Sequence, residues 1–219
     1  MLDPASTRAS RQAMVKQQLE SRGIRDLRVL QAMAEMPRER FVSPDLSYLA
    51  YWDGPLAIAH GQTISQPYMV AAMAEALALT GTEVVLEIGA GSGYGAALLS
   101  RLARTVIAVE RIAPLLEEAQ HRWTSLGLRN IIGVLGDGSC GVAEYAPFDG
   151  ISVTAAAPVI PPSLVAQLRP EVGRMTIPVG ERHWQYLCLV RRSMTGAITM
   201  TREFPCTFVP LLGKEGWSE

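Results

Sequence analysis

Runs of apolar residues alternate with segments of helical spacing over most of the chain, and this alternation predicts a largely parallel sheet flanked by helices. Apolar runs bounded by turn residues are typical of buried strands, whereas apolar residues three and four apart indicate an amphipathic helix. The segments that predict strands are 84–88, 105–109, 131–135, 149–154, 175–179, 184–190 and 197–204. Those that predict helices between the strands are 95–102, 112–126 and 162–168.

The N-terminal part of the chain has helical rather than strand patterns. Asp26 is suited to cap a helix, and Pro67 is suited to the first turn of another. An irregular aromatic stretch, 41–51, is a candidate lid or substrate platform, with plain packing against the sheet as the alternative. No linker or repeat interrupts the pattern. We therefore expect one domain over residues 1–219, with three helices (10–21, 27–36, 68–79) in a helical, substrate-side region 1–80 and a cofactor-binding sheet core and tail over 81–219.

One strand runs into a turn with glycine at every second position, Gly89-Ala90-Gly91-Ser92-Gly93, which opens a helix. Strand, glycine turn and helix begin a nucleotide-binding βαβ unit, because glycine lets the chain turn sharply and lets a ligand lie against the backbone. The dinucleotide fingerprint would place its third glycine at position 94, which is Tyr94. The spacing therefore argues against a nicotinamide or flavin dinucleotide.

Two carboxylates stand at the ends of successive predicted strands. Glu87 lies where a pyrophosphate would rest, so it disfavours phosphate and suits a ligand with an ammonium group. Glu110 ends the next strand, where an acidic side chain accepts hydrogen bonds from ribose hydroxyls. Together they favour S-adenosylmethionine, which carries a sulfonium and an amino group and no phosphate. A tight turn beside two surface carboxylates is the alternative.

Further candidate residues follow other predicted strands. Asp137 lies between two glycines at a strand end, where it can bind an adenine amino group or simply form a turn. Small residues at 155–157 leave room for a ligand at the carboxyl edge of the sheet. Ser65 lies in a segment rich in small polar residues before a predicted helix, so it is a candidate for catalysis or for helix capping.

Composition excludes several function classes. The formal net charge of −1 and the lack of a dense basic run give no sign of a nucleic-acid surface. The start of the chain lacks a signal-peptide pattern, and prolines break the longest uncharged run, so we expect no membrane segment. The three cysteines and three histidines have no metal-ligand spacing. We expect a cytoplasmic, reduced, metal-free protein, and we expect it to be a monomer.

Several blocks of the sequence resemble one family, the protein-L-isoaspartate (D-aspartate) O-methyltransferases. They occur in family order and cover nearly the whole chain. The block Gln62-Thr63-Ile64-Ser65-Gln66-Pro67 is far more specific than the glycine turn, which many methyltransferases share. The blocks are 36–42, 61–70, 86–94, 136–138, 146–149, 154–158, 178–180 and 208–211.

The resemblance implies an α/β fold: a class I S-adenosylmethionine-dependent methyltransferase (Rossmann-like) sheet of seven strands, with helices on both faces and an N-terminal helical addition. It implies methyl transfer to the free carboxylate of L-isoaspartyl or D-aspartyl residues in damaged proteins or peptides, and repair through a succinimide. Residue pattern and resemblance together predict the sites: Ser65 as catalytic; Glu87, Gly89, Gly91, Glu110, Asp137 and Gly138 for the cofactor; and Gln62, Thr63, Ile64, Thr154 and Ala155 for the substrate.

The implied reaction needs little acid–base help, because a carboxylate with an ordinary pKa of roughly 4 is already ionised at neutral pH. We expect Ser65 and backbone N–H groups near 154–157 to orient it. One departure from the family is Gly95, which replaces a larger and often polar residue. Three alternatives remain: a carboxyl methyltransferase acting on an aspartate of a biosynthetic peptide, a non-catalytic module that binds S-adenosylmethionine, and a nicotinamide enzyme.

Overall fold

The computed structural model describes residues 5–218, so residues 1–4 and 219 of the predicted domain lie outside it. Its α-helices are α1 (Ala5–Met14), α2 (Leu27–Glu35), α3 (Pro67–Leu77), α4 (Tyr94–Leu99), α5 (Ala113–Ser125) and α6 (Pro162–Gln167). Its strands are β1 (Leu56–Ala57), β2 (Thr63–Ile64), β3 (Val84–Ile88), β4 (Thr105–Glu110), β5 (Ile131–Leu135), β6 (Gly150–Val153), β7 (Arg174–Glu181), β8 (Trp184–Arg192) and β9 (Ile198–Cys206).

Seven strands form one mixed sheet in the order β5-β4-β3-β6-β7-β8-β9. The strands from β5 to β7 pair in parallel, and β8 and β9 extend the sheet antiparallel to their neighbours. The seven predicted strands are confirmed, with ends that differ by no more than two residues. In this order β3 and β4 lie side by side, and their carboxyl ends meet at one edge.

Two hydrophobic clusters cover the two faces of the sheet. Val85 and Val106 face the cluster that includes the N-terminal helices, α3 and α5. Leu86 and Ile107, one position later on the same strands, face the cluster that includes α6. Strands buried on both faces explain the continuous apolar runs of the sequence. No helix among residues 5–218 is long and apolar enough to cross a bilayer.

The first predicted helix is not continuous. The α-helix ends at Met14, one π-helical turn spans Val15–Leu19, and a short 3₁₀ turn leads to Gly23 in the left-handed conformation. The wider turn keeps Val15 and Leu19 buried while the Gln18 amide donates to the carbonyl of Tyr51 at 2.8 Å. Periodicity does not reveal this change, because it depends on a contact far along the chain.

The helix starts predicted from single residues are confirmed. Asp26 caps α2, since its Oδ1 accepts the N–H groups of Arg28 and Val29. Pro67 is the first residue of α3. Both caps fix where the N-terminal helices begin, and α3 carries the preceding segment, 62–66, to the edge of the sheet.

The glycine turn is closed by α5. Gly93 has a φ of 86°, and the Trp123 indole N–H donates to its carbonyl at 2.8 Å. A Cβ at position 93 would lie 2.7 Å from Trp123 Nε1 and 2.8 Å from the Ala119 Cβ. Gly127 has a φ of 68° but no atom within 4 Å of such a Cβ. The two glycines share the conformational requirement but differ in packing.

Gly93→Ala is therefore expected to destabilise the protein more than Gly127→Ala. Gly127→Ala should cost about 1–2 kcal/mol for the left-handed backbone alone, whereas Gly93→Ala adds the displacement of Trp123 and should cost a further ~1–3 kcal/mol. The free energy of unfolding in urea measures both values. Equal costs would contradict the close packing of α5 against the turn.

Candidate active site

One pocket opens at the carboxyl ends of β3, β4 and β6, and its empty volume of about 1230 Å³ includes the mouth. Its wall includes both the glycine turn and the segment 62–65. The pocket brings together all but one of the predicted site residues: Gln62, Thr63, Ile64, Ser65, Glu87, Gly89, Gly91, Glu110, Gly138, Thr154 and Ala155.

The backbone N–H groups of the glycine turn are turned inward. Those of Gly89 and Ala90 donate to the carbonyl of Val109, at 2.9 and 3.0 Å, and that of Gly93 donates to Ala90. The N–H of Gly91 donates to Glu110 at 2.8 Å. A phosphate site of the dinucleotide kind uses free N–H groups at such a turn. Most N–H groups of this turn already donate to β4, and this disfavours binding of a pyrophosphate.

Glu110 binds the ends of two strands together. Its Oε2 accepts the Gly91 N–H, and its Oε1 accepts the N–H groups of Arg111 and Ile112 at 2.8 and 3.0 Å. The side chain is 6% exposed and lines the pocket. Since each carboxylate oxygen has two lone pairs, Oε2, which accepts one N–H group, keeps the capacity to accept a hydroxyl group of a ligand.

Glu87 is a buried carboxylate with an unused oxygen. It is 1% exposed, lines the pocket, and its Oε2 has no hydrogen-bond partner among the described residues. Burial raises its pKa to about 8, and the nearby Glu110 adds to the rise. A Cβ at position 95 would lie 2.0 Å from Glu87 Oε1, so Gly95 creates the space that this carboxylate occupies.

Ser65 follows a small hairpin that the sequence pattern did not predict. Strands β1 and β2 pair Leu56 with Ile64, and the loop between them turns through His60, with a φ of 58°, and Gly61. Ser65 lines the pocket, and its hydroxyl has no hydrogen-bond partner in the described part of the chain. It does not cap α3, because the residue at the cap position is Gln66.

The segment after β6 offers fewer N–H groups than expected. The N–H of Thr154 donates to Ile88, that of Ala156 to Val209 and that of Ala157 to Pro178. Within 154–157, only Ala155 keeps a backbone N–H without a partner in the described structure. The expectation that several N–H groups here orient an acceptor is wrong, because the sheet and the tail already use them.

Thr154 instead supports the glycine turn. Its hydroxyl lies 2.9 Å from the carbonyl of Ile88 and 2.7 Å from that of Gly89. A Cβ at Gly89 would lie 2.6 Å from the same oxygen. Thr154 therefore lines the pocket with its hydroxyl committed to holding β3 and the turn.

Asp137 is the one predicted site residue that does not line the pocket. Its Oδ1 accepts the N–H and hydroxyl of Ser139, and its Oδ2 accepts the N–H of Lys214 at 2.7 Å. These bonds join the turn after β5 to the C-terminal tail. The neighbouring Gly138 does line the pocket. The Asp137 carboxylate already accepts backbone and hydroxyl donors. Recognition of adenine by this side chain stays a prediction.

The C-terminal tail contributes residues 209–212 to the pocket wall. In a short parallel bridge, the N–H of Leu211 donates to the carbonyl of Ala156, and the N–H of Ala156 donates to the carbonyl of Val209. The Trp217 indole also donates to the Ala156 carbonyl, at 3.0 Å. Glu215 fixes the far end through the N–H and hydroxyl of Ser163. Residues of the pocket wall that sequence reasoning did not assign include Arg111, Ile112, Val209, Leu211 and Leu212.

Comparison with protein families gives one match over most of the chain. Residues 9–216 match the family model described as protein-L-isoaspartate(D-aspartate) O-methyltransferase. A protein-L-isoaspartate O-methyltransferase from Pelotomaculum thermopropionicum is 48% identical over 217 residues, which cover 99% of this chain and 94% of the relative. Protein-L-isoaspartate O-methyltransferase 2 from Pelobacter propionicus is 50% identical, covering 94% of this chain and 92% of the relative.

Solved structures show the same similarity. A structure named protein-L-isoaspartate O-methyltransferase superposes with a TM-score of 0.82 at 31% identity, covering 95% of this chain and 67% of that one. A Plasmodium falciparum structure, described as a protein-L-isoaspartate O-methyltransferase in complex with S-adenosyl-L-homocysteine, gives a TM-score of 0.77 at 26% identity. It covers 92% of this chain and 98% of its own.

Glu87→Gln is expected to flatten the pH dependence of stability. Burial raises the pKa of Glu87 from 4.5 to about 8, so between these values the folded chain keeps a proton that the unfolded chain has released. The free energy of unfolding therefore falls as pH rises through this window, by at most ~1.4 kcal/mol per pH unit. Urea unfolding at several pH values from 5 to 8 measures the slope, which the variant should reduce.

Glu83→Gln is the matched control. Burial raises the pKa of Glu83, but hydrogen bonds from Thr80 and Gly81 outweigh it and hold the pKa at about 2. Its contribution is lost only as pH falls from about 4.5 toward 2, so this variant should lower stability by a constant amount between pH 5 and 8. An unchanged slope in Glu87→Gln would show that Glu87 is ionised in the folded chain.

Proposed function

Because the chain belongs to the protein-L-isoaspartate(D-aspartate) O-methyltransferase family, we propose that its pocket transfers a methyl group from S-adenosylmethionine to the free carboxylate of L-isoaspartyl and D-aspartyl residues. Such residues form when Asp or Asn rearranges in an ageing protein. The methyl ester then closes to a succinimide, which reopens in part to normal aspartate and so begins repair. The family, the fold class and the enzyme class predicted from the sequence are confirmed.

One observation carries this proposal: the Ser65 segment and the glycine turn line the same pocket. The first is the most specific block of the resemblance, and the second is common to methyltransferases. The Ser65 segment precedes α3 and the glycine turn follows β3, so only the fold brings the two together. Acceptor and methyl donor can therefore meet in one cavity.

The pocket residues fit S-adenosylmethionine. The buried, unpartnered Oε2 of Glu87 is suited to the ligand's ammonium group, and Glu110 is suited to ribose hydroxyls. Gly89 and Gly91 leave the wall without side chains where the ligand would lie. When bound, the cofactor supplies an activated methyl group on a positively charged sulfur.

The chain's own residues then have three tasks. The Ser65 hydroxyl donates a hydrogen bond that orients the acceptor carboxylate, and a neutral donor suits this role because the carboxylate loses its charge in the transition state. Ile64 and Leu211 contribute apolar wall that excludes water. Alignment of bound reactants supplies most of the rate, up to ~7–11 kcal/mol in model systems, so no general base is needed.

We further propose a domain organisation, a compartment and an oligomeric state for the enzyme. Residues 1–219 form one domain, whose first 80 residues provide the substrate side and whose remainder holds the cofactor. The enzyme works in the cytoplasm as a monomer, with isoaspartyl-containing proteins or peptides as partners and without a metal, a nucleic acid or a membrane. Free thiols at Cys140, Cys188 and Cys206 are consistent with a reducing compartment. Light scattering coupled to gel filtration measures the mass in solution.

A pair of peptides that differ only in Asp versus isoAsp tests the proposed function. With labelled S-adenosylmethionine, methyl transfer to the isoaspartyl peptide should exceed transfer to the aspartyl peptide by at least about 100-fold, because the acceptor carboxylate is displaced by one methylene group along the chain. Equal transfer to both would indicate a different carboxylate acceptor. Cofactor binding without transfer to either would indicate a non-catalytic module.

Ser65→Ala is expected to lower kcat about tenfold or more while the Kd for S-adenosylhomocysteine changes less than about threefold, since one hydrogen bond to a charged group is lost. Steady-state kinetics and calorimetry measure the two values. Ser125→Ala, which removes a hydroxyl at the end of α5 outside the pocket, is the control. A parallel loss of turnover and affinity in Ser65→Ala would assign the serine a structural role.

A further inference from the structure

Arg38 lies fully buried beneath the active site and has no role in the reaction as described so far. Its side chain is 0% exposed. Nε donates to the carbonyl of Ala50 and Nη2 to the carbonyl of Ser65, both at 2.8 Å. The guanidinium lies 4.9 Å from the centre of the Tyr94 ring. Burial lowers its pKa to about 10, so it is a cation at neutral pH.

These contacts join the two halves of the pocket. Ser65 belongs to the acceptor segment, whereas Tyr94 is the first residue of the helix that follows the glycine turn. The Tyr94 ring also packs edge-on against Phe41 at 5.4 Å. Arg38 thus holds the serine backbone at a fixed distance from the helix that carries the turn.

A second contact fixes the same segment from the other side. The amide of Gln66, next to Ser65, donates to Asp53 Oδ1 at 2.7 Å. Asp53 in turn pairs with Arg22. Arg38 therefore holds the Ser65 carbonyl and Asp53 holds the Gln66 side chain, while Ser65 lines the pocket with its hydroxyl unpartnered in the described residues. Of the two, Arg38 is the one that also contacts the cofactor side through Tyr94.

Packing alone does not account for a buried arginine at position 38, because burial of its guanidinium costs free energy. Its Nη1 has no hydrogen-bond partner among the described residues, and it has no salt bridge to a carboxylate among them. Burying a cation without a paired carboxylate costs free energy that hydrogen bonds to carbonyls offset only in part. What an apolar residue cannot supply is two rigid N–H donors aimed at two carbonyls.

We propose that Arg38 is a positioning residue for methyl transfer: by binding the Ser65 carbonyl and stacking on Tyr94, it sets the position of the Ser65 hydroxyl relative to the cofactor turn. This inference rests on the proposed function of the pocket. Arg38 does not itself line the pocket but contacts two residues that do, Ser65 and Tyr94. It acts through Ser65, and that dependence makes it testable.

A double-mutant cycle with Ser65 is the test. Arg38→Met, which keeps the length and loses the donors, should lower kcat for an isoaspartyl peptide about tenfold in the wild-type background. In the Ser65→Ala background the same change should lower kcat less than about twofold, because the hydroxyl it positions is absent. The Kd for S-adenosylhomocysteine should change less than about threefold in all variants. A tenfold loss in both backgrounds would overturn the proposal.

Arg28→Met is the matched control. Arg28 also joins two distant segments by donating to carbonyls, those of Leu79 and Leu102, but it lies outside the pocket. It should reduce thermal stability without changing kcat at a temperature where the protein is folded. Arg38→Lys covers the case in which Arg38→Met does not fold, because it keeps the charge but not the planar fork. It should show the same dependence on Ser65, and equal losses in both backgrounds would again overturn the proposal.

A readout that does not require the acceptor to be known separates this inference from the proposed function. Amide hydrogen exchange over residues 62–66 should become faster in Arg38→Met and stay unchanged in Arg28→Met. Wild-type protein that methylates neither peptide would contradict the proposed function, and the exchange result would still report on Arg38. Unchanged exchange in Arg38→Met, beside an active wild type, would contradict the positioning role.

Discussion

The carboxylate of Glu110 is the interaction on which the pocket depends. Three backbone N–H groups, those of Gly91, Arg111 and Ile112, converge on its two oxygens. Neighbouring bonds from Gly89 and Ala90 to the end of β4 complete the pattern. The glycine turn is thereby tied to the adjacent strand and its donors face inward. A turn built in this way presents carboxylate and bare backbone to a ligand, and it favours a cationic ligand without phosphate.

Two buried ionisable side chains lie at or beneath the walls of the pocket. Glu87 and Arg38 are both almost inaccessible to water, and each has a polar atom without a partner in the described residues. Neither contributes an obvious gain in stability, since burying an ionisable group costs free energy: Arg38 stays charged at neutral pH, and burial makes Glu87 keep its proton. Their positions explain them: Glu87 lines the cofactor side, and Arg38 holds the backbone of Ser65. Stability is given up at these points to fix the geometry of the pocket.

The predictable parts of the structure are those set by local pattern. Buried strands read as apolar runs, and Asp26 and Pro67 mark helix starts, because the responsible forces act within a few residues. Glu87 and Glu110 were accessible to prediction because strand ends in a parallel sheet share one edge. The π-helical turn at Val15–Leu19, the hairpin before Ser65 and the bonds of Asp137 to the tail were not. The π-helical turn and the Asp137 bonds depend on contacts between segments far apart in the chain, and the hairpin pairs two-residue strands too short to form an apolar pattern.

The residues around Ser65 show the same limit more sharply. Arg38 occurs in a block that resembles the family, yet a buried arginine cannot be told from an exposed one by spacing. The N–H groups of 154–157 are expected to face an acceptor, but the tail takes that of Ala156, and the sheet takes those of Thr154 and Ala157. Composition and motif indicate which chemistry is present, and long-range packing decides which groups remain free to carry it out.

We infer that the inward-turned glycine loop and the carboxyl groups of Glu87 and Glu110 select a methyl donor over a dinucleotide. Calorimetric titration of the wild-type protein with S-adenosylhomocysteine and with NAD⁺ under the same conditions tests it most directly. We expect saturable 1:1 binding of S-adenosylhomocysteine and no detectable heat with NAD⁺. Saturable NAD⁺ binding that competes with S-adenosylhomocysteine would contradict it.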